Sequence, residues 1–132
     1  MSLCRLLIVA GAVLLACPAA ASARVAVVAT GGVRAALVDV TTDAVVAQVD
    51  VGGPSRAVVA APDGRRAHVA AGDGIATVDL DALTLVRRRG IGAEAVALAR
   101  SPKGGALYAV AGRRLLVVDS STLAVRHRIA LR

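Results

Sequence analysis

The sequence contains an internal repeat with a constant interval, and this repeat constrains the fold more than any other feature. When the chain is shifted so that Gly52 lands on Gly92, the turn Pro62-Asp63-Gly64 lands on Pro102-Lys103-Gly104. Three Val-Asp pairs fall in the same register, ending at Asp39, Asp79 and Asp119. A constant interval of about 40 residues indicates one supersecondary unit that occurs several times. The repeat therefore predicts an architecture and leaves the specific biochemical function open.

The segment from Met1 to Ala23 has the order of a secretory signal peptide. The basic start ends at Arg5, an uninterrupted apolar run extends from Leu6 to Cys17, and Ala21-Ser22-Ala23 supplies the small residues that a signal peptidase requires. We predict cleavage between Ala23 and Arg24. The apolar run is shorter than the roughly 20 residues that a spanning helix needs, so a retained membrane anchor is the weaker interpretation.

A second interpretation of this segment is a lipoprotein signal. Leu14-Leu15-Ala16-Cys17 resembles a bacterial lipobox, which would make Cys17 the lipidated first residue and hold the protein on a membrane. Both cysteines, Cys4 and Cys17, lie in the leader, so the exported chain is expected to hold together without disulfides. The predicted location is secreted, periplasmic or at the cell envelope, with a lipid anchor through Cys17 as the alternative.

The composition argues against nucleic acid as a partner. The formal net charge is +7, and all but one of the basic residues are arginines. Tyr108 is nevertheless the sole aromatic residue, whereas a surface that stacks bases needs several aromatic side chains.

Beyond the leader, short apolar runs alternate with Gly, Pro, Asp and Thr, which is the pattern of strands joined by turns. Eleven strands and no helix are predicted. They cover residues 25–30, 34–40, 45–51, 55–61, 66–71, 75–80, 83–91, 95–100, 106–111, 114–119 and 123–131. Apolar residues at consecutive positions, as in Leu115-Leu116-Val117-Val118, predict strands with both faces covered.

Four-stranded antiparallel units of about 40 residues, packed between copies of themselves, are the blades of a β-propeller. We therefore predict an all-β partial propeller with an incomplete blade at 24–53, which lacks one strand, and blades at 54–93 and 94–132. A closed propeller has about four to eight blades, so the first and last blades are expected to expose apolar faces. Self-association, another protein, or further repeats of a longer gene would each cover those faces.

The repeated residues resemble the YVTN-type β-propeller repeat of surface-layer and cell-envelope proteins. Val51-Gly52-Gly53-Pro54 matches the start of that unit, and Ser101-Pro102-Lys103-Gly104 matches its Ser-Pro-Asp-Gly turn. Tyr108 stands at the place of the name-giving tyrosine, which the repeat interval assigns to Val28 and His68 in the earlier units. The resemblance implies an exported propeller module for binding or scaffolding at the cell envelope.

The repeated aspartates, prolines and glycines are interpreted as turn-forming residues. An Asp at a strand end accepts hydrogen bonds from backbone N–H groups two residues on, and Pro-x-Gly supplies fixed and positive backbone angles. These residues are Asp39, Asp79, Asp119, Pro62, Gly64, Pro102 and Gly104. The two histidines, His68 and His127, stand at unrelated repeat positions. No catalytic residue, cofactor site or metal site is therefore predicted.

Arginines are concentrated in the fourth strand of the two complete units, which is the outermost strand of a propeller blade. These candidates are Arg87, Arg88, Arg89, Arg126 and Arg128. The simpler interpretation is a charged edge that prevents strand addition by another chain. The sharper one is a basic rim that binds an anionic envelope polymer or lipid head groups, with an attraction that weakens in salt.

The alternative function is a fragment or subunit of a propeller enzyme, of the quinone-dependent dehydrogenase or lactonase type. Such enzymes place carboxylates, histidines or metal ligands around the central channel. The predicted first strands, 55–61 and 95–100, offer only Ser55, Arg56 and Arg100 there, which favours the non-enzymatic function.

Overall fold

A computed structural model describes residues 24–132, which form eleven strands and no helix. This confirms the predicted all-β fold class; the predicted leader, with Cys17, lies outside the described residues. Along the described chain, no helix is long and apolar enough to cross a membrane. The strands are β1 (Val25–Ala29), β2 (Arg34–Asp39), β3 (Ala44–Asp50), β4 (Ser55–Ala60), β5 (Arg66–Ala71), β6 (Gly74–Asp79), β7 (Thr84–Gly90), β8 (Ala95–Arg100), β9 (Ala106–Ala111), β10 (Arg114–Asp119) and β11 (Val125–Ala130).

The strands form three antiparallel sheets in which each strand pairs with its neighbour in sequence. Sheet 1 contains β1 to β3, sheet 2 contains β4 to β7, and sheet 3 contains β8 to β11. Within residues 24–132, sheet 1 thus has no strand that corresponds to β4 and β8. The outer strand pair of every sheet carries a β-bulge at the same repeat position, after Leu37, Thr77 and Val117. The repeat therefore extends to the irregularities of the backbone.

The hairpin between β1 and β2 departs from the repeat interval. Leu37 and Thr77 are separated by that interval, but their partners on the preceding strands, Val27 and His68, are one residue further apart. The prediction that Val28 takes the position of His68 is therefore wrong by one residue. Because side chains alternate between the faces of a strand, Val27 packs against the core between sheets 1 and 2, whereas Val28 is exposed.

Two layers of apolar side chains hold the three sheets together. The layer between sheets 1 and 2 is the first seam, and the layer between sheets 2 and 3 is the second seam. Sheet 2 contributes to both by strand alternation: Val69 and Val78 face the first seam, and Ala70 and Ile75 face the second. All four are fully buried, so sheet 2 is covered on both faces.

The outer sheets are covered on one face only within residues 24–132. In β10, Leu116 and Val118 are buried in the second seam, while Leu115 and Val117 are only partly buried. The prediction of two covered faces for this apolar run is therefore wrong for the described chain, since sheet 3 has a neighbour on one side alone. Sheet 1 shows the same pattern, with Ala35 and Leu37 buried in β2 and Ala36 and Val38 less so.

Backbone hydrogen bonds join the sheets at the inner end of each seam. The N–H of Ser55 donates to the carbonyl of Gly32 at 2.9 Å, and one repeat later the N–H of Ala95 donates to that of Gly72 at 2.9 Å. The buried Ser55 hydroxyl adds a donation to the Gly32 carbonyl at 3.1 Å. Each first strand is thus fixed to a hairpin of the preceding sheet.

Candidate functional site

The arginine triplet on β7 is divided between the two seams by strand alternation. Arg88 points to the first seam, and Arg87 and Arg89 reach across the second. Arg87 donates from Nη1 to the carbonyl of Ser121, and Arg89 donates to the carbonyl of Thr122 at 3.5 Å. Both acceptors lie in the turn between β10 and β11. The outer strand of sheet 2 therefore contacts both neighbouring sheets through its arginines.

Arg88 occupies a pocket of the first seam. Its Nε donates to the Val51 carbonyl at 2.9 Å, and its Nη2 donates to Asp73 Oδ1 at 2.9 Å and to the Ala71 carbonyl at 3.4 Å. Only 27% of the Arg88 side chain is exposed. The guanidinium group lies so close to Gly52 that a Cβ at that position would collide with it. Arg88 thereby joins the loop after β3 to the β5–β6 hairpin.

The two arginines predicted on β11 have different environments. Arg126 forms an ion pair with Asp119 Oδ2 in its own sheet. The exposed Arg128 side chain makes no hydrogen bond or ion pair with any residue in 24–132. The five arginines named from the sequence therefore do not form one continuous rim, because four of them donate to protein acceptors.

The aspartates that end the second-last strand of each sheet cap the turn that follows. Asp39 Oδ1 accepts from the N–H of Thr41 at 2.8 Å, and Asp79 Oδ1 accepts from the N–H groups of Asp81 and Ala82 at 2.8 and 2.9 Å. Hydrogen bonds to the ionised carboxylate hold the pKa of Asp79 below its ordinary value of 3.8, and the one from Ala82 contributes most. The pKa values of Asp39 and Asp119 are lowered in the same way, led by the hydroxyls of Thr41 and Ser121.

The Pro-x-Gly turns close the hairpins between the first two strands of sheets 2 and 3. Gly64 and Gly104 have φ of 70° and 76°, and their N–H groups donate to the carbonyls of Ala61 and Ser101 at 3.0 and 2.9 Å. The ring of Pro62 lies against Gly104, so closely that a Cβ at this glycine would collide with it. Pro102 holds the corresponding position in the second turn. These turns therefore pack against one another across the second seam.

The residues that a catalytic interpretation would need have structural partners. His68 is buried, its Nδ1 lies 2.9 Å from Thr77 Oγ1, and burial lowers its pKa. Arg56 forms an ion pair with Glu94 at 3.0 Å. Residues 24–132 contain no group of three or more His, Cys, Asp or Glu side chains able to hold a metal ion. Every buried side-chain nitrogen or oxygen atom of residues 24–132 has a hydrogen-bond partner.

The second seam contains an open pocket of about 230 Å³ at the position that Arg88 fills in the first seam. It is lined by Ile91, Gly92, Ala93, Ala111, Arg114, Leu116 and Arg128. Sequence analysis did not single out Arg114 or its neighbour Arg113. The repeat interval aligns these two arginines with Asp73 and Gly74. This change of charge and size between repeats is the sequence feature that could have identified them.

Comparison with known proteins gives the fold and no closer relationship. The chain is similar to Kuenenia stuttgartiensis hydrazine synthase, with a TM-score of 0.69, 21% identity and 74% of this chain covered. It is also similar to apo AztD from Citrobacter koseri, with a TM-score of 0.63, 15% identity and 77% coverage. The match spans 30% of each of those chains. Both are β-propeller-type folds.

The chain is a partial β-propeller. Its three sheets are the blades, and the first blade lacks one strand, as the sequence predicts. No protein-family model and no curated protein matches the chain. The structural similarity therefore identifies the architecture of this chain. It does not assign to this chain the activities of the two similar proteins.

We expect Gly52→Ala to destabilise the protein more than Gly92→Ala, although both glycines have similar φ values of 85° and 88°. Alanine at either position costs about 1 kcal/mol in this left-handed conformation. At Gly52 the new Cβ also displaces Arg88, which adds about 2 kcal/mol for hydrogen bonds to a charged group. Equilibrium urea unfolding measures the difference, and equal losses would contradict the described position of Arg88.

Arg88→Ala should lower the free energy of unfolding by about 2 kcal/mol, because the Asp73 carboxylate and two seam carbonyls lose their donor. Arg128→Ala is the control at the same repeat position, with an expected change below about 0.5 kcal/mol for a surface side chain without partners. Urea unfolding at one protein concentration makes the comparison. A loss at Arg128 as large as that at Arg88 would disprove the assignment.

The turn aspartates should make folding sensitive to acid. The pKa of Asp79 is lower in the folded chain than its ordinary 3.8, so the unfolded chain binds more protons between the two values. The stabilisation is complete above the ordinary pKa and is lost as the pH falls from there through the lowered pKa of the folded chain. We expect Asp79→Ala to lower the melting temperature at neutral pH, and this difference to shrink at about pH 3. Asp81→Ala, which removes the same charge, is the control, and a pH-independent difference would contradict the proposal.

Proposed function

We propose that this protein is an exported, non-enzymatic β-propeller module that binds or scaffolds at the cell envelope by packing blade against blade. The observation that carries the proposal is the composition of the two outer blade faces. Both consist of positions whose repeat counterparts are buried within the chain. The resemblance of the repeats to the YVTN type and the predicted leader support the cell-envelope location.

The open face of sheet 3 corresponds to the face by which sheet 2 contacts sheet 3. In sheet 2, Ala70 and Ile75 on this face are fully buried in the second seam. Their counterparts on sheet 3 are Val110 and Leu115, which are paired across β9 and β10 and are only partly buried. Tyr108 lies on the same face and is 38% exposed. This face therefore has the apolar residues with which sheet 2 packs against a neighbouring blade.

The open face of sheet 1 corresponds to the face by which sheet 2 contacts sheet 1. Ala76 and Val78 of sheet 2 are fully buried in the first seam. Their counterparts Ala36 and Val38 are only partly buried, and Val28 on the same face is 46% exposed. The two open faces are thus the two complementary halves of a seam.

A second copy of this chain is the occupant that these faces fit. The face of sheet 3 of one copy would contact the face of sheet 1 of the next, in the arrangement that already joins sheets 1, 2 and 3. Such an interface uses two different surfaces, so assembly proceeds head to tail and forms a ring or an open stack. Burial of apolar area supplies about 25 cal/mol per Å², which favours association over exposure of both faces.

The alternative of a propeller-enzyme fragment or subunit draws its support from the likeness to hydrazine synthase. The inner strands argue for the non-enzymatic function. Ser55 is buried and hydrogen-bonded to Gly32, and Arg56 is paired with Glu94. Arg100 is exposed at the end of β8. These strands therefore present no acid, base and nucleophile in combination.

Head-to-tail assembly predicts that the purified protein is larger than a monomer in light scattering after size exclusion. Tyr108→Asp, on the face of sheet 3, and Val28→Asp, on the face of sheet 1, should each yield monomers, because a buried unpaired charge is costly. Val86→Asp is the control, since Val86 is exposed on the outer strand of sheet 2. A sharp monomer peak for the unaltered protein would overturn the proposal.

Mixing the two face variants separates head-to-tail packing from other modes of association. The Tyr108→Asp protein retains an intact sheet 1 face, and the Val28→Asp protein retains an intact sheet 3 face. An equimolar mixture should therefore form dimers, whereas each variant alone stays monomeric. A symmetric interface formed by two copies of one face would leave the variant with that face intact dimeric on its own, and that result would contradict the head-to-tail arrangement.

A further inference from the structure

We propose that the pocket of the second seam binds a small oxyanion of the phosphate class, held by Arg113, Arg114 and Arg128. This site goes beyond the proposed function and does not depend on assembly, because it lies between two blades of one chain and away from the open faces. Comparison of the two seams, residue by residue at the repeat interval, carries the inference.

In the first seam the pocket is filled and its charges are compensated. Arg88 occupies it and pairs with the Asp73 carboxylate at 2.9 Å. A second carboxylate, Asp50 Oδ1, accepts from the N–H of Gly52 at 2.8 Å. Gly74 completes the pocket, and a Cβ at this glycine would lie 3.1 Å from Arg88 Cζ. The seam thus contains one cation and two anions, and its guanidinium group needs a small neighbour.

In the second seam the repeat replaces each of these supporting residues. Arg113 stands in the place of Asp73, Arg114 in that of Gly74, and Gly90 in that of Asp50, while Arg128 corresponds to Arg88. The four positions therefore carry three cations and no anion. None of the three arginine side chains makes a hydrogen bond or ion pair with residues 24–132.

The exchange at Arg114 explains why Arg128 does not fill the second pocket. A side chain at the corresponding Gly74 would crowd Arg88 Cζ at 3.1 Å, and a second guanidinium group would add repulsion between like charges. The space stays open, with a volume of about 230 Å³. It adjoins a groove of about 450 Å³ that Arg113, Arg114 and Leu131 help to line. Three unpaired cations therefore border one accessible concavity.

The chemistry of these groups selects an oxyanion. Guanidinium groups donate two parallel hydrogen bonds to phosphate or carboxylate oxygens, and three positive charges favour a dianionic phosphate over a single carboxylate. The N–H of Gly92 adds a donor, because its counterpart in the first seam bonds Asp50 and the described chain supplies no acceptor here. Glu94, two residues after Gly92, forms an ion pair with Arg56 at 3.0 Å. Its carboxylate is therefore already compensated. A bound phosphate would supply the negative charge that Asp73 supplies to Arg88.

Isothermal titration of the purified protein with inorganic phosphate at low ionic strength tests the site. We expect saturable binding that Arg113→Asp weakens at least about tenfold, because charge-assisted hydrogen bonds are lost and a like charge is introduced. The double variant Arg113→Asp, Arg114→Gly restores the residues that Asp73 and Gly74 supply in the first seam, with Gly90 still in the place of Asp50, and should abolish binding. Thermal unfolding should show that it remains folded, since Arg128 then has a carboxylate and a glycine at the positions that Asp73 and Gly74 hold beside Arg88.

Two further variants keep the test decisive. Arg100→Asp changes the net charge by the same amount at an exposed position outside the pocket, and it should leave phosphate binding unchanged. Arg128→Ala removes an exposed side chain without partners, so its loss of binding would report on the site even if the double variant failed to fold. The inference is overturned if phosphate does not bind saturably, or if Arg100→Asp weakens binding as much as Arg113→Asp.

A vesicle experiment distinguishes free phosphates from lipid head groups. Cosedimentation with phosphatidylglycerol vesicles, compared with phosphatidylcholine vesicles, shows whether a phosphodiester at a membrane occupies the site. Vesicle binding that inorganic phosphate displaces and Arg113→Asp removes would assign the site to a head group. Phosphate binding without vesicle binding would assign it to a soluble phosphate. Vesicle binding that Arg113→Asp leaves unchanged, with no phosphate binding, would refute the pocket.

Discussion

The structure depends on the packing of apolar sheet faces against one another, because no helix or disulfide supports the described residues. Alanine and valine dominate the first seam, whereas the second combines alanine with leucine and isoleucine. Sheet 2 is the centre of this arrangement, since it is the one sheet of the described chain with both faces buried. Every other feature is positioned by that stacking, including the seam hydrogen bonds of Ser55 and Ala95 and the arginines of β7.

The repeat fixes a backbone and leaves the side chains of each seam free to diverge. Turn chemistry is kept in all three sheets, as the capping by Asp39, Asp79 and Asp119 shows. The pocket beneath the outer strand is not kept: the first seam encloses an internal cation, and the second exposes several. A structural ion pair in one blade thus becomes unbalanced charge in the next. In a repeat protein, such a local departure from the common pattern is a more specific indication of function than the pattern itself.

The sequence was sufficient for the number, order and approximate limits of the strands, because glycines, prolines and aspartates mark every turn and the apolar runs are short. It was insufficient wherever the answer depended on which face a residue occupies. Val28 was assigned to the position of Val27, since a fixed interval cannot reveal one extra residue in a hairpin. The separate roles of Arg87, Arg88 and Arg89 required the positions of both neighbouring sheets. The significance of Arg113 and Arg114 depends on the second seam, where the fold brings Arg114 and Arg128 to one pocket although they are distant in sequence.

The bulges in the outer strand pairs have a consequence for how the molecule can grow. They follow Leu37, Thr77 and Val117, so each sheet is distorted next to its outer edge, and two of the three outer edge strands, β7 and β11, carry arginines. A distorted, charged edge is a poor template for β-strand addition, whereas the open faces of sheets 1 and 3 carry apolar side chains such as Val28, Val110 and Leu115. The outer edges therefore disfavour association in the hydrogen-bonding direction, and the head-to-tail assembly that we propose uses the sheet faces instead. In the proposed assembly, a chain rich in valine and alanine strands associates through its sheet faces, while its outer edges resist cross-β aggregation.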